Sequence, residues 1–453
     1  MKGRSDADGL SLVVPGGKAG LVKTEEFPAR MLALAFGLLW TDHPLARDAT
    51  LTRSGAEPRD QALLGWQLAS LQLLPDHRPD AIEVHCPTSA SLIFAVPRDA
   101  KAVPTTPSCY PRGMIPTTMR ASFYEGPGRF ATGSVPTPAP ARGEALLRVR
   151  RVGICGTDLH IFQGHLDHRV PRGGVIGHET FAEVVEAPKD SGFAAGDRVV
   201  VEPVVFCGVC RACRMGASYL CYQLKVLGVD LPGGMREYYP VTTEHLLKVP
   251  DALSDDAAAV IEPLAVATHD VTRAGVKHGD RVLVFGGGPI GTLIGLVCRQ
   301  RGAEVVVAEI NEFRLSLLGT LGLRTLGRDR DAVKFVNEWT DGVGVDVAFE
   351  VTGRPEAVRA VTDVVRVWGT ISIVAIHAEP MAVNLYQMFA RELTMHGSRL
   401  YTRAAWEEAI RLAASGAVPL APLVSRKIPL DALTEGMQAA LGGANVMKVL
   451  VEL

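Results

Sequence analysis

A thiol, a hydroxyl, a carboxylate and an imidazole fall within eight residues of this sequence, in GICGTDLH from Gly153 to His160. Each of these side chains can carry chemistry, and Cys155 in particular can ligate a metal as a thiolate. The same stretch is also compatible with an ordinary turn after a strand. If the stretch is a metal site, the rest of the chain must supply further ligands; an ordinary turn requires none.

A catalytic zinc takes about three protein ligands and keeps one coordination position open. Cys155 offers one ligand, and GHE offers His178 and Glu179. Glu262 lies in the apolar run AAAVIEPLAV, where a buried carboxylate needs a partner or a metal. These residues are far apart in sequence, so their spacing alone does not show that they meet.

A second metal signal is local. Four cysteines follow the pattern C-x2-C-x2-C-x7-C, which suits a closed tetrahedral zinc site with a structural role; they are Cys207, Cys210, Cys213 and Cys221. The alternative is a small zinc ribbon that binds nucleic acid. The formal net charge of -2 and the lack of a basic surplus around the cysteines argue against a nucleic-acid partner.

Composition sets the broad class of the protein. A chain of 453 residues with 47% hydrophobic and 21% charged residues predicts a globular protein of two or three domains. Eight cysteines are too few for a disulfide scaffold, and thiolate ligands favour a reduced, cytoplasmic setting. No apolar run reaches the roughly 18 residues of a membrane span. The best candidate, Met31–Trp40, is too short.

Residues 1–118 differ from the rest of the chain in amino-acid composition and in the pattern of apolar residues. They are rich in Pro, Arg, Ala and Ser, and the clearest element is an amphipathic helix predicted over Arg59–Leu74. We interpret this segment as an N-terminal extension that is poorly ordered or lies upstream of a natural start at Met119. An accessory domain is the alternative.

Beyond Met119 the pattern predicts strands and turns to about Pro250, then alternating helices and strands. Ser254 is predicted to cap a helix that runs through EPLAVATHDVTRAG. The alternation that follows predicts a parallel, doubly wound sheet, so the fold class is α/β.

A dinucleotide site is predicted where an apolar strand, Val282–Phe285, runs into GGGPIG and a helix. Such glycines let the pyrophosphate approach the helix N-terminus, and an acid about twenty residues later binds the adenosine ribose and disfavours NADP. A nearby arginine weakens that preference. The residues assigned to the cofactor are Gly286, Gly288, Pro289, Ile290, Gly291, Glu309 and Arg314.

From Met119 to Leu453 the chain resembles the zinc-dependent medium-chain alcohol dehydrogenases, and within them the polyol, butanediol and threonine dehydrogenases. The motifs that carry the resemblance, in order, are GICGTDLH, GHE, GDRV, the four-cysteine loop, IEPLAVATHDVTRAGV and VLVFGGGPIG. The resemblance implies a GroES-like β-barrel catalytic domain over 119–265, a Rossmann domain over 266–400 and a return to the catalytic domain over 401–453.

The resemblance also implies roles for the metal-site residues. Cys155 and His178 match catalytic zinc ligands, while either Glu179 or Glu262 provides the remaining contact. Asp158 matches the carboxylate that orients the ligand histidine. One departure is Ala182, where the family signature has glycine.

Thr157 and His160 match the relay that carries the substrate proton to solvent. The implied reaction is the reversible oxidation of a polyol, sugar alcohol or vicinal diol to a ketone, with zinc as Lewis acid and hydride transfer to NAD. Arg399 and Tyr401 are candidate substrate contacts. A threonine-type amino-alcohol dehydrogenase and a non-catalytic member that binds nucleotide and zinc are the alternatives. The family implies a homodimer or homotetramer.

Overall fold

The computed structural model describes residues 115–377 and 379–453, and before them only the backbone of three strands, β1 (Leu71–Gln72), β2 (Ala81–His85) and β3 (Ser91–Ala95). These three strands form an antiparallel sheet. The helix predicted over Arg59–Leu74 is therefore wrong at its end, because pairing with β2 holds Leu71–Gln72 extended. Its remainder, like Met31–Trp40, lies outside the described residues.

The chain divides into two units, residues 1–113 and 114–453, and the second begins just before the predicted Met119. Its strands are β4 (Thr118–Gly126), β5 (Arg129–Pro136), β6 (Glu144–Gly153), β7 (Glu179–Glu186), β8 (Arg198–Val201), β9 (Val204–Val205), β10 (Lys225–Val226), β11 (Tyr238–Thr242), β12 (Leu246–Lys248), β13 (Arg281–Phe285), β14 (Glu304–Ala308), β15 (Arg324–Leu326), β16 (Val345–Glu350), β17 (Val365–Ile373), β18 (Thr394–Gly397), β19 (Val424–Pro429) and β20 (Lys448–Glu452).

The helices of this unit are α1 (Gly156–Phe162), α2 (Arg211–Arg214), α3 (Asp255–Ala258), α4 (Ile261–Ala274), α5 (Pro289–Gln300), α6 (Glu312–Thr320), α7 (Ala332–Trp339), α8 (Pro355–Val364), α9 (Leu385–Ala390), α10 (Arg403–Ala414) and α11 (Leu433–Gly442). Short 3-10 turns occur at Ser218–Leu220, Thr243–His245, Ala421–Leu423 and Leu430–Ala432.

The first sheet of this unit has seven strands in the order β12-β8-β7-β6-β20-β19, with β11 also paired to β6. Strand β6 is mostly buried, and its partly exposed positions are Glu144 and the three arginines Arg148, Arg150 and Arg151. Strand β20 pairs antiparallel with β6 through Val451 and Val152. The C-terminal segment thus returns to the sheet that contains β6, β7 and β8.

The second sheet is parallel throughout, in the order β15-β14-β13-β16-β17-β18. Its strands are apolar because helices cover both faces. The strand order reverses between β13 and β16, which is the point where doubly wound sheets bind dinucleotides.

Helix α4 joins the two sheets, since it packs on β7 and β8 of the first and on α5 of the second. The predicted boundary between 265 and 266 falls inside this helix. Ser254 caps α3 as predicted, accepting the Ala257 N–H at 3.2 Å, but the predicted single helix is interrupted before Ile261. Pro263 explains the break, because its ring would clash with the Ala259 carbonyl in a continuous helix.

Candidate active site

Cys155 lies at the junction of β6 and α1, where the chain turns out of the sheet. Its backbone N–H donates to Asp158 Oδ2 at 2.8 Å. Gly153 ends β6 opposite Glu179, the first residue of β7, and any side chain at Gly153 would collide with the Glu179 carboxylate. This close approach of the two strands brings Cys155 and Glu179 to the same end of the sheet.

Cys155, His178 and Glu179 each offer one ligand atom, and these atoms lie within 4.8 Å of one another. Asp158 is fully buried, and its Oδ1 lies 3.6 Å from His178 Nδ1; neither atom has a hydrogen-bond partner. Thiolate, imidazole and carboxylate are the ligands that zinc takes in proteins, and a carboxylate facing the second imidazole nitrogen is a usual support. These residues fit a zinc ion.

Lys448 is a cation that the sequence reasoning missed in this cluster. It is 3% exposed, forms an ion pair with Glu179, and donates to the Ile154 carbonyl at 3.0 Å. Burial lowers the pKa of Lys448, but the charges of Glu179 and Cys155 outweigh it and raise that pKa. The signal was present as a lone lysine in the apolar strand sequence VMKVLVEL, since buried charges are paired.

Glu262 stands beside this cluster without belonging to the close group of Cys155, His178 and Glu179. Its Oε1 accepts a hydrogen bond of 2.9 Å from the hydroxyl of Tyr401, which is 1% exposed. Burial raises the pKa of Glu262 to about 7. The structure therefore distinguishes the two glutamates that sequence alone left equivalent, because only Glu179 sits among the other ligand atoms.

The hydroxyl and imidazole of the opening motif, on Thr157 and His160, both belong to helix α1, which begins directly after Cys155. Thr157 Oγ1 lies 4.0 Å from Cys155 Sγ, and His160 Nδ1 lies 3.2 Å from Nδ1 of the exposed His165. Burial and the neighbouring His165 lower the pKa of His160, so its ring is neutral at pH 7 and can accept a proton. His168 is exposed.

The four cysteines of the loop between β9 and β10 converge. Their sulfurs are 3.5 to 4.0 Å apart across four measured pairs. Four sulfurs at about 2.3 Å from one zinc would stand about 3.8 Å apart. The backbone N–H groups of Cys213 and Tyr222 lower the pKa of Cys210 to about 6, which favours the thiolate that metals bind. This group also fits zinc.

The glycine loop lies between β13 and α5, at the reversal point of the parallel sheet. Gly286 has φ of 104°, and a side chain at Gly291 would collide with the Gly286 carbonyl. Gly288 caps α5 and Pro289 is its first residue, while Ile290 packs against the core. This tight turn leaves the α5 N-terminus open to a pyrophosphate.

Glu309 follows β14 and turns back over this loop. Its carboxylate accepts the N–H groups of Gly287 at 2.9 Å, Ile310 at 2.6 Å and Asn311 at 2.9 Å. Arg314 Nη1 lies 3.8 Å from it. The acid and the arginine that sequence assigned to the adenosine half are thus held beside the glycines.

The other half of the parallel sheet carries a second buried acid. Glu350 ends β16, is fully buried, and accepts the backbone N–H and the hydroxyl of Thr352 at 2.8 and 2.5 Å. Its second oxygen lies 3.2 Å from Nε2 of His377, which follows β17. The sequence reasoning missed this pair, which connects the ends of two neighbouring strands.

Two family models match the chain. One describes the alcohol dehydrogenase GroES-like domain and matches residues 141–251, and the other describes the zinc-binding dehydrogenase and matches residues 289–415. A 2-dehydro-3-deoxy-L-galactonate 5-dehydrogenase of Pseudoalteromonas atlantica is 38% identical over 336 residues, which are 74% of this chain and 98% of that one.

The chain belongs to the zinc-dependent medium-chain alcohol dehydrogenases. An L-threonine 3-dehydrogenase of Yersinia pestis is 32% identical over 324 residues, 70% of this chain and 94% of that one. The crystal structure of a 2R,3R-butanediol dehydrogenase from Bacillus subtilis has a TM-score of 0.69 and 32% identity, covering 74% of this chain and 99% of that one. The predicted family and branch are confirmed.

A third comparison bears on the cofactor. An alcohol dehydrogenase of Escherichia coli solved with NADH has a TM-score of 0.69 and 27% identity, covering 75% of this chain and all of that one. The predicted fold class, a GroES-like domain with a Rossmann sheet, is confirmed by these neighbours. Zinc and NAD are the cofactors of this dehydrogenase family. Among the described residues, no helix is long and apolar enough to cross a membrane.

The two substrate-contact candidates of this dehydrogenase lie in different environments. Tyr401 is buried with its hydroxyl bound to Glu262, so it positions that acid rather than facing open solvent. Arg399 is an exposed residue, but partial desolvation of its guanidinium and the charge of Arg169 lower its pKa. They are separated by Leu400, whose φ of 54° turns the chain between them.

Proposed function

We propose that this protein is an NAD-dependent zinc dehydrogenase that oxidises a secondary alcohol of a polyol, sugar acid or vicinal diol to a ketone, reversibly. The observation that carries the proposal is the convergence of Cys155, His178 and Glu179, with the hydroxyl of Thr157 4.0 Å from Cys155 Sγ and His160 on the same short helix, α1. Such an arrangement pairs a metal site with a route for a proton.

We assign the catalytic zinc to Cys155, His178 and Glu179, with Glu262 outside the ligand set and held by Tyr401. Bound zinc supplies a Lewis acid for the alcohol oxygen, and NAD supplies the hydride acceptor. Asp158 faces His178 Nδ1 and fixes the orientation of that ring. Lys448 balances the charge of Glu179 inside the protein.

Thr157 and His160 are assigned to proton removal. Thr157 accepts the proton of the substrate hydroxyl and passes its own onward, and the neutral His160 receives it. His165, within 3.2 Å of His160, completes the path because its ring is exposed to solvent.

The relatives support a polyhydroxylated substrate, since their names specify a keto-deoxy sugar acid and butanediol. The threonine dehydrogenase supports a second candidate, a 2-amino-3-hydroxy acid. Each substrate carries a secondary alcohol beside a polar group. A non-catalytic member is the remaining alternative, but a protein that only binds nucleotide has no need of a proton relay.

The test combines metal content with turnover. Purified protein should contain two zinc ions per chain by elemental analysis and reduce NAD, followed by NADH absorbance, with a member of a polyol, vicinal-diol, sugar-acid and amino-alcohol panel. Turnover of threonine alone would replace the polyol assignment. One zinc and no turnover with any member would contradict the enzyme.

We further propose that a second copy of the chain covers the edge of the parallel sheet. Strand β18 is the edge strand, and large apolar side chains 53% to 81% exposed lie on β17 and α9 near it: Val367, Trp368, Leu385, Tyr386 and Phe389. Exposed edges and apolar patches mark association sites. Light scattering should give a dimer or tetramer, and Phe389→Glu should dissociate it while Val343→Glu, also on an exposed site, should not.

The second zinc is assigned to Cys207, Cys210, Cys213 and Cys221. Because this site and Cys155 require reduced thiolates, we place the protein in the cytoplasm. Cell fractionation with a tagged chain tests the location.

A further inference from the structure

Arg399 lies in the segment between β18 and α10, and contacts with helix α4 hold this segment in place. Ser398 donates to Asp270 at 2.6 Å, and Arg273 donates to the Gly397 carbonyl at 2.8 Å. Tyr401 donates to Glu262 beside the zinc ligands. Helix α4 thus holds the residues on both sides of Arg399. Tyr401, which contacts Glu262 beside the catalytic centre, lies two residues after Arg399.

The guanidinium of Arg399 has no carboxylate or other hydrogen-bond partner anywhere in the described part of the chain. Arg169 is the charged group close enough to affect it, and both carry positive charge. Arg169 itself is neutralised by Asp230, through two hydrogen bonds of 2.8 and 2.6 Å. Arg169 is thus paired with Asp230, whereas the positive charge of Arg399 has no partner among the described residues.

Arg169 and Arg399 belong to two segments that also carry residues of the proposed site. Arg169 belongs to the loop that follows α1, the same loop that places His165 against His160. Arg399 belongs to the segment after β18 of the parallel sheet, which also carries Tyr401. The unpaired cation therefore lies where the segment that carries Tyr401 approaches the loop that carries His165.

On the basis of the proposed function, we propose that Arg399 binds a carboxylate of the substrate, so that the preferred substrate is a sugar acid and not a neutral polyol. A guanidinium binds a carboxylate through two parallel N–H···O bonds, which no hydroxyl can replace. Because Asp230 is already paired with Arg169, the guanidinium of Arg399 is free to bind a substrate carboxylate. The hydrogen bond from Tyr401 to Glu262 fixes the position of the Arg399 backbone relative to the metal site.

The test uses matched pairs of substrates that differ in one terminal group: gluconate with glucitol, idonate with iditol and galactonate with galactitol. Arg399→Gln should lower kcat/KM for the acids by about tenfold to a hundredfold, mainly through KM. Its effect on the alditols should be at least about tenfold smaller. Arg399→Lys should recover part of the loss, because it keeps charge without the planar pair of donors. Arg426→Gln, on the exposed face of β19, is the control.

A second readout does not need turnover. Titration of gluconate into the enzyme–NADH complex by calorimetry should show binding that Arg399→Gln weakens by the same factor, while the dissociation constant for NADH stays unchanged. A loss of NADH affinity would assign Arg399 to a cofactor phosphate and overturn the proposal. A preference for glucitol 6-phosphate over gluconate would overturn it in favour of a phosphate-bearing substrate.

The two proposals fail separately. If the wild-type enzyme oxidises neither acids nor alditols, the proposed function is contradicted. If it oxidises both and Arg399→Gln affects both equally, only the carboxylate assignment is contradicted.

Discussion

The hydroxyl of Ser398, after β18, donates a hydrogen bond of 2.6 Å to the fully buried carboxyl group of Asp270 on helix α4. The second oxygen of Asp270 has no partner. Burial raises the pKa of Asp270 from 3.8 to about 7, although Ser398 lowers it. One buried acid thus ties α4 to the segment that leads to Arg399 and Tyr401.

Asp270→Asn should stabilise the protein at alkaline pH. Between its unfolded pKa of 3.8 and its folded pKa of about 7, the folded protein holds a proton that the unfolded chain has lost. The free energy of unfolding therefore falls as pH rises across this window, by up to about 4 kcal/mol. Asparagine still accepts the Ser398 hydrogen bond and carries no charge.

Thermal melting from pH 4 to pH 8.5 measures this effect. The variant should equal the wild type near pH 4 and exceed it by about 2 to 4 kcal/mol above pH 7. Ser398→Ala is the matched control, because it removes the donor, leaves the acid buried, and should destabilise most at high pH. Parallel curves for wild type and Asp270→Asn would contradict the raised pKa.

Cys155→Ala should abolish turnover and leave cofactor binding intact. Loss of one of three ligands removes the catalytic zinc, so activity should fall by about a thousandfold or more. NADH affinity, measured by fluorescence, should not change, because the glycine loop is part of the other sheet. Cys298→Ala removes a buried thiol that lies in the core and should keep both zinc ions. Retained activity in Cys155→Ala would refute the metal site.

Cys210→Ser should instead act on folding. It breaks a closed site of four sulfurs, so the protein should contain one zinc ion and lose at least about 2 kcal/mol of unfolding free energy. Turnover per folded molecule at low temperature should persist, because the ligands of the other zinc are untouched. A variant with two zinc ions and an unchanged melting temperature would show that these sulfurs hold no metal.

Glu309→Gln should relax the preference for NAD. The carboxylate of Glu309 repels a 2′-phosphate, and its removal leaves Arg314, 3.8 Å away, free to meet that phosphate. The ratio of kcat/KM for NADP to that for NAD should rise by about tenfold or more. Glu304→Gln, at the opposite end of β14, removes an exposed acid and should leave the ratio unchanged. An unaltered ratio in Glu309→Gln would show that the acid does not select the cofactor.

Features encoded in a short stretch were the ones that sequence predicted. The glycines between Gly286 and Gly291 lie in one turn and the four cysteines in one short loop, so the spacing of each group carries its geometry. The helix break before Ile261, which Pro263 causes, is equally local, but the apolar run around it predicts one continuous helix.

Relationships across the fold could not be predicted in this way. Lys448 and Glu179 meet only because β20 pairs with β6 and β6 with β7, and strand order is not visible in local patterns. The proposed assignment of the zinc ligand to Glu179 and not to Glu262 depends on the same pairing. The predicted helix end at Leu71–Gln72 was wrong for a related reason, since pairing with a later strand outweighed its local helical pattern.

The position of Lys448 in the last strand has a consequence for synthesis of the protein. Strand β20 is synthesised after every other strand of its sheet. It carries Lys448, which neutralises Glu179 and donates a hydrogen bond to the carbonyl of Ile154, the residue before Cys155. A nascent chain that has already formed β6, β7 and the cysteine loop still lacks this partner. The residues of the cysteine loop are therefore all present before β20 is synthesised, whereas the catalytic centre still lacks the cation of Lys448 at that stage.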